Sequence, residues 1–260
     1  MSDSNRAFTI SANRADALAK VRNLTAHVER HLRRAGYEGP VCVAGGYVRD
    51  VALGKTPKDL DVFVDGGYIK EKGIAVSTLA AHLCDLFPGG SRLERILPCY
   101  GGWASDIDLV GKIAVETSEG QTFTYLDGLP VPKDIDLVVM RREALVEQGY
   151  RSDSEDPSLS PDTISQDFLQ RVIDRVDLRM NAIGATSQIT AVNPSWDYDA
   201  LYNRMVVQYA RRHDKQERID KRLERLTSDK FAGWSGLYEG PDGELSPVAV
   251  GVDPEEVAIA

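Results

Sequence analysis

The chain has 260 residues, enough for one good-sized domain with a small appendage or for two small domains. Its 42 % hydrophobic and 27 % charged residues are ordinary for a globular protein; no apolar run reaches the roughly 20 residues of a membrane helix, and "MSDSNRAFTI" has no hydrophobic signal core, so the reading is a cytoplasmic protein with no membrane partner. A net charge of −9, from 31 basic and 40 acidic residues, argues against sequence-blind coating of nucleic acid but leaves room for a local basic surface.

From Asn13 to Ala35 the apolar residues Leu18, Val21, Leu24, Val28 and Leu32 recur at steps of three and four, which predicts a helix capped by Gly36. His27 and His31 share a face of it, but "HVERH" lacks a third ligand and reads as helix surface rather than a zinc site. "VCVA" (41–44) predicts a strand, "YVRDVAL" (47–53) a helix stopped by Gly54, "LDVFV" (60–64) a strand and "IAVSTLAAHLCDLF" (74–87) a helix. Cys42, Cys84 and Cys99 have no paired spacing, so neither a disulfide framework nor a zinc site is expected. Residues 107–140 predict a β-meander, residues 151–163 an exposed loop, and "ISQDFLQRVIDRVDLRMNAIG" a return to helical spacing. Residues 203–230 read as a strongly basic helix with Ile219, Leu223 and Leu226 on its buried stripe. The acidic Gly/Pro-rich tail from Gly233 is expected to dock loosely or stay disordered. The divisions that follow are 1–200, 201–232 and 233–260.

The chemistry concentrates in "VAGGYVRDVALGKTPKDLDVFV". Side chains two apart on a strand point to one face, so Asp59 and Asp61 set two carboxylates side by side. Such like charges repel unless a cation sits between them, and a hard divalent ion, Mg²⁺ with Mn²⁺ as the alternative, satisfies the pair through oxygen ligands. A third carboxylate from a neighbouring strand would allow two ions to be held. Gly45 and Gly46, between a strand and a helix start, leave the backbone open to a phosphate.

Together, Gly45, Gly46, Val48, Arg49, Asp50, Gly54, Pro57, Asp59 and Asp61 resemble the signature of the nucleotidyltransferase head of class II CCA-adding enzymes and bacterial poly(A) polymerases, a branch of the DNA polymerase β-like superfamily. The likeness runs over roughly residues 13–210. It implies an α+β polymerase β-like fold: a mixed sheet flanked by helices, here with a short C-terminal helical extension. "DIDLVVMR" resembles the strand carrying that family's third carboxylate, which would make Asp136 the residue; Asp108 ends a second "DID" and stays the rival. "RVDLRMNAIG" resembles the family's ribose-associated motif through Arg175, Asp177, Asn181 and Ala182, with Val176 and Arg179 departing from it.

The resemblance implies template-independent transfer of a nucleoside monophosphate from ATP or CTP to an acceptor hydroxyl, with Asp59, Asp61 and Asp136 as catalytic metal ligands for two Mg²⁺ ions. Gly45, Gly46, Arg49, Asp177 and Asn181 would bind the nucleotide. The acceptor it implies is an RNA 3′ end, a transfer RNA among the candidates, with Arg211, Arg212, Arg218 and Arg222 as a surface for it. A nucleotidyltransferase acting on a protein or small molecule, and a non-catalytic nucleotide- or RNA-binding module, remain the alternatives.

Overall fold

The computed structural model describes residues 3–87, 90–98, 106–116, 124–151, 156, 158–208 and 216–248. Helix α1 (Asp3–Arg34) starts well before Asn13. Its predicted stripe is fully buried at Val21, Leu24, Val28 and Leu32. His31 Nδ1 lies 3.0 Å from the carbonyl of His82, and Glu29 accepts from the Ser187 amide, so "HVERH" ties the helix to its neighbours. The chain continues through β1 (Val41–Ala44), α2 (Gly46–Ala52), β2 (Asp59–Asp65), α3 (Gly66–Lys72) and α4 (Val76–Leu83). Next come β3 (Ser91–Pro98), β4 (Ile107–Val115), the short β5 (Thr124–Tyr125) and β6 (Leu129–Pro130), then β7 (Asp134–Met140) and α5 (Arg142–Val146). The helix α6 (Pro161–Asp174) starts where the Ser160 hydroxyl accepts from the Thr163 amide at 3.1 Å and Pro161 takes the first turn. Beyond it lie β8 (Ile183–Ala185), β9 (Thr190–Val192), α7 (Trp196–Leu201), β10 (Arg204–Val207), α8 (Gln216–Arg225), β11 (Ser235–Glu239) and β12 (Leu245–Pro247).

Seven strands form one mixed sheet in the order β3-β4-β7-β2-β1-β8-β9. At its centre β2 and β7 run parallel, from Asp59 opposite Asp134 to Asp65 opposite Met140, while their outer neighbours β1 and β4 are antiparallel to them. The mixed sheet flanked by helices is the class the sequence implied. One face carries Leu60, Val62, Val64, Ile135, Leu137 and Val139, packed into the same core as α1, α2 and α4. Burying each such side chain contributes about 1.5–3 kcal/mol. On the other face Phe63, Val138 and Met140 meet Ile164, Phe168, Leu169, Val172 and Ile173 of α6. The acidic ends of β2 and β7 lie beside that cover and line a cleft.

Four local expectations change. Residues 107–140 are not a meander, because β4 and β7 are direct neighbours and β7 then joins β2. The segment 203–230 is not one helix: Arg204–Val207 is a strand, and the helix runs over Gln216–Arg225 with a wider turn at Leu226–Lys230. Asp177 lies outside any helix, with Asn181 ending a short 3₁₀ turn at Arg179–Asn181, because Leu178 bridges to Val207 and pulls the chain straight. The tail is built into a sheet over Ser235–Pro247, since β11 pairs parallel with β10, and β12 antiparallel with β11; residues 249–260 lie outside the described residues. Met205, Val207, Ile219, Leu223, Leu226, Phe231 and Tyr238 share one core with Leu24 and Leu178. No helix among the described residues is long and apolar enough to cross a membrane.

Candidate active site

A cleft of about 940 Å³ opens over the acidic ends of β2 and β7. Its floor follows from register. Asp61 on β2 stands opposite Asp136 on β7, and Asp136 stands opposite Lys112 on β4, so three strands lay Lys112, Asp136 and Asp61 in one cross-strand row. One step along, Asp59 faces Asp134, which carries the acidic surface to four carboxylates. Asp59, Asp61 and Asp136 all line the cleft. Asp108, the rival third carboxylate, lies apart from them and pairs with Lys70 and Arg141.

The electrostatics follow from this crowding. Burial, then the neighbouring Asp136 and Asp59, push the Asp61 carboxyl up to about 7, against the pull of Arg222 and Lys112. Asp136 is also raised by burial, while Lys112 opposes the rise. Burial lowers Lys112, but its hydrogen bond to Asp136 and the carboxylates around it outweigh that and raise it overall. The Lys112 ammonium donates to both oxygens of Asp136, at 2.7 and 2.6 Å.

Among the described residues no three His, Cys, Asp or Glu side chains gather into a ready-made metal shell. Of the expected set of Asp59, Asp61 and Asp136, the third member is held by the Lys112 ammonium. The donor chemistry still fits a divalent cation at the strand pair. Asp59 and Asp61 are hard oxygen donors on one face, and Asp59 Oδ1 is buried without a hydrogen bond, Lys58 Nζ lying 3.2 Å away without hydrogen-bond geometry.

Gly45 borders the row at φ +89°, where an L side chain is strained, and an added Cβ would stand 3.4 Å from Asp61 Oδ2. Its amide donates to the Ile183 carbonyl at 3.0 Å, so that N–H pairs with β8 rather than facing the cleft. Gly46 and Arg49 are not among the cleft-lining residues. Arg49 is buried under it, donating to Asp50 at 2.6 and 2.8 Å and to Asn181 Oδ1 at 2.6 Å, with its guanidinium 4.9 Å from the Phe231 ring centre. Lys230 closes the network from the far side with 2.7 Å to Asp50. Arg49 thus holds Asn181, which does border the cleft.

The opposite wall is α8. Arg218, Lys221, Arg222 and Arg225 line the cleft together with Glu217, which pairs with Lys221 at 2.6 Å. Ile219 and Leu223 turn into the core. Arg222 donates to Asp177 Oδ2 at 2.7 Å, whereas Asp177 Oδ1 is buried without a hydrogen bond. Arg218 and Arg222, expected to form an RNA surface, therefore face the carboxylates across the cleft; Arg211 and Arg212 lie outside the described residues. Sequence reasoning missed Lys112, Lys221 and Arg225 as cleft residues. For Lys112 the available signal was a lone lysine alternating with Val110 and Ala114 in the strand "IDLVGKIAV".

No protein-family model matches the chain. A CC-adding tRNA nucleotidyltransferase of Deinococcus radiodurans is 29 % identical over 199 residues, covering 74 % of this chain and 43 % of the relative. The chain thus spans less than half the length of that curated relative. Among solved structures, a CCA-adding enzyme with CTP is 17 % identical at a TM-score of 0.43, covering 86 % of this chain and 44 % of the other. The Bacillus stearothermophilus CCA-adding enzyme in complex with CTP is 14 % identical at 0.39, covering 88 % and 42 %. The resemblance to a CCA-adding nucleotidyltransferase head carried by Gly45 to Asp61 is borne out by the curated relative: over 74 % of its length this chain is similar to a CC-adding tRNA nucleotidyltransferase.

Proposed function

We propose that the chain moves a nucleoside monophosphate from a nucleoside triphosphate to an acceptor hydroxyl, releasing pyrophosphate, and that the acceptor is the 3′ end of an RNA. The observation that carries this is the carboxylate floor, where Asp61 and Asp136 stand in register beside Asp59 under an open cleft next to a side-chain-free Gly45. The name of the Deinococcus relative supports a transfer RNA as the acceptor class and CTP among the donors.

Asp59 and Asp61 would hold Mg²⁺ or Mn²⁺, and Asp136 would serve a second ion once released from Lys112. Bound there, the cation supplies charge neutralisation at the triphosphate and at the attacking oxygen. The chain's own residues do the positioning. Gly45 keeps a Cβ away from Asp61 Oδ2, so a phosphate can approach the floor. Arg218, Lys221, Arg222 and Arg225 set positive charge across the cleft, complementary to a triphosphate. Asn181, fixed by Arg49, and Asp177, fixed by Arg222, border the same space and would orient the nucleotide. Most of the rate in such a transfer comes from position and charge, which these groups provide.

The test is to incubate the protein with Mg²⁺, each α-labelled triphosphate in turn, and RNA that includes transfer RNAs trimmed at the 3′ end. Label on RNA with wild type, but not with Asp59→Ala/Asp61→Ala, is the expected result. The preferred triphosphate then names the product. Label on protein or nowhere would overturn the RNA acceptor, and activity surviving the double substitution would overturn the carboxylate assignment.

A further inference from the structure

We propose that Lys112 is a built-in counter-ion of the carboxylate row and competes with a divalent cation for Asp136. The proposal rests on the reading of Asp59 and Asp61 as the residues that hold that cation. The juxtaposition is set by the sheet: Lys112 is the cross-strand partner of Asp136, which is the cross-strand partner of Asp61. The next residues on the Lys112 side are Val110 and Ala114, facing Val138 and Asp134, so Lys112 brings the one positive charge that β4 offers to this row. Its ammonium takes both Asp136 oxygens, at 2.7 and 2.6 Å, leaving that carboxylate no unshared oxygen for a metal ion. The pair is sheltered, with 29 % of the Lys112 side chain and 15 % of the Asp136 side chain exposed, and it lines the cleft rather than the outer surface. That sets it apart from solvent-screened surface pairs of negligible strength.

The physical case for competition is that both cations want the same lone pairs. Without a metal, Asp136 and Asp61 are adjacent carboxylates; Arg222 acts on Asp61 from across the cleft, and Lys112 supplies the ammonium that bonds Asp136 directly. A divalent ion arriving at Asp59 and Asp61 brings two charges to the same place. Lys112 is then repelled and can withdraw, because a lysine ends in a compact charge on a flexible stem rather than a rigid fork. Its departure frees Asp136 as a further ligand and places a mobile ammonium in the cleft where phosphate oxygens would lie. Lys112 therefore acts as a positioning residue that sets the cation level at which Asp136 becomes available.

The experiment measures Mn²⁺ binding to the full chain without nucleotide, by the loss of the free-ion electron paramagnetic resonance signal at one fixed pH. Lys112→Met and Lys112→Gln are run together so that a folding defect in one does not decide the outcome, with Lys112→Arg as the charge-keeping variant. The expected result is Mn²⁺ binding about tenfold tighter in Lys112→Met and Lys112→Gln, binding no tighter than wild type in Lys112→Arg, whose rigid fork holds Asp136 and yields less readily, and a much smaller gain when Asp136→Asn is added. Unchanged or weaker binding in both neutral variants, with wild type binding normally, overturns the proposal and leaves the cation site standing. An undiminished gain on the Asp136→Asn background also overturns it, since Lys112 would then be only a distant positive charge. No Mn²⁺ bound by any form overturns both this proposal and the cation assignment beneath it.

Discussion

Asp61 holds its proton up to about pH 7 in the folded chain, against 3.8 for an ordinary aspartate, first because it is buried and then because Asp136 lies beside it. The linkage has a definite sign. Below about pH 4 the group is protonated in both states and contributes nothing. Between there and about pH 7 the unfolded chain ionises while the folded one does not, so stability falls as pH rises, and above that the loss is complete. In the presence of chelator the thermal midpoint of wild type should drop between pH 5 and pH 8, whereas Asp61→Asn should show a flatter curve. Parallel curves would remove Asp61 as the source. Gly45→Ala tests the other side of the row: at φ +89° and ψ −142°, a conformation almost confined to glycine, an L residue costs about 1–3 kcal/mol, and the new methyl would stand in contact with Asp61 Oδ2 at 3.4 Å. Urea unfolding should show that loss, with KM for the triphosphate rising more than kcat falls. Asp59 and Asp61 were legible as a pair because strand alternation is a local rule. Lys112 was not, because its partner Asp136 lies on β7, which only the fold brings beside β4.

Among the elements, α2 is too short to be stable alone and is pinned by Arg49. That one side chain joins α2 to the Arg179–Asn181 turn through Asn181, and to the segment after α8 through the Phe231 ring. Arg49→Leu would leave Asp50 with Lys230 as its remaining ion partner and Asn181 Oδ1 without its donor, a loss of about 3–5 kcal/mol of the kind seen when one member of a buried pair is removed. Arg49→Lys should recover little of it, because an ammonium cannot reach both Asp50 and Asn181 in fork geometry. Equilibrium denaturation of both variants decides the matter; near-wild-type stability in Arg49→Leu would mean the network adds nothing. The elements that sequence reasoning placed well, the buried stripe and C-terminal end of α1 with β1, α2 and β2, are those whose apolar period and glycine stops agree. The helix expected over 203–230 failed because Met205, Val206 and Val207 are drawn into a strand by pairing with Ser235–Glu239, distant in the chain. Basic composition alone could not reveal that pairing.

At the scale of the whole molecule, α8 and the β10–β12 sheet share one apolar core with the central sheet, so the basic wall and the acidic floor belong to one packed body. Leu223 is 2 % exposed in that core. Leu223→Ala should cost about 2–5 kcal/mol and lower a single cooperative transition rather than melt a separate C-terminal unit. Two resolved transitions in calorimetry would instead favour independent units divided near residue 201. The mixed α+β class followed from the resemblance carried by Gly45 to Asp61, whereas the packing of α8 and β10–β12 onto the central sheet's core depends on distant contacts that no local pattern announces. The parallel pairing of β2 with β7 has a further consequence for the chain as it is made. From the ribosome β2 emerges long before its partner, because β3, β4, β5 and β6 are synthesised in between. Until residue 140 has left the exit tunnel, an apolar strand bearing Leu60, Val62 and Val64 presents an open edge to any passing chain. Translation fragments ending between β2 and β7 should therefore be prone to self-association, and the acidic floor itself cannot exist until the later strand closes that edge.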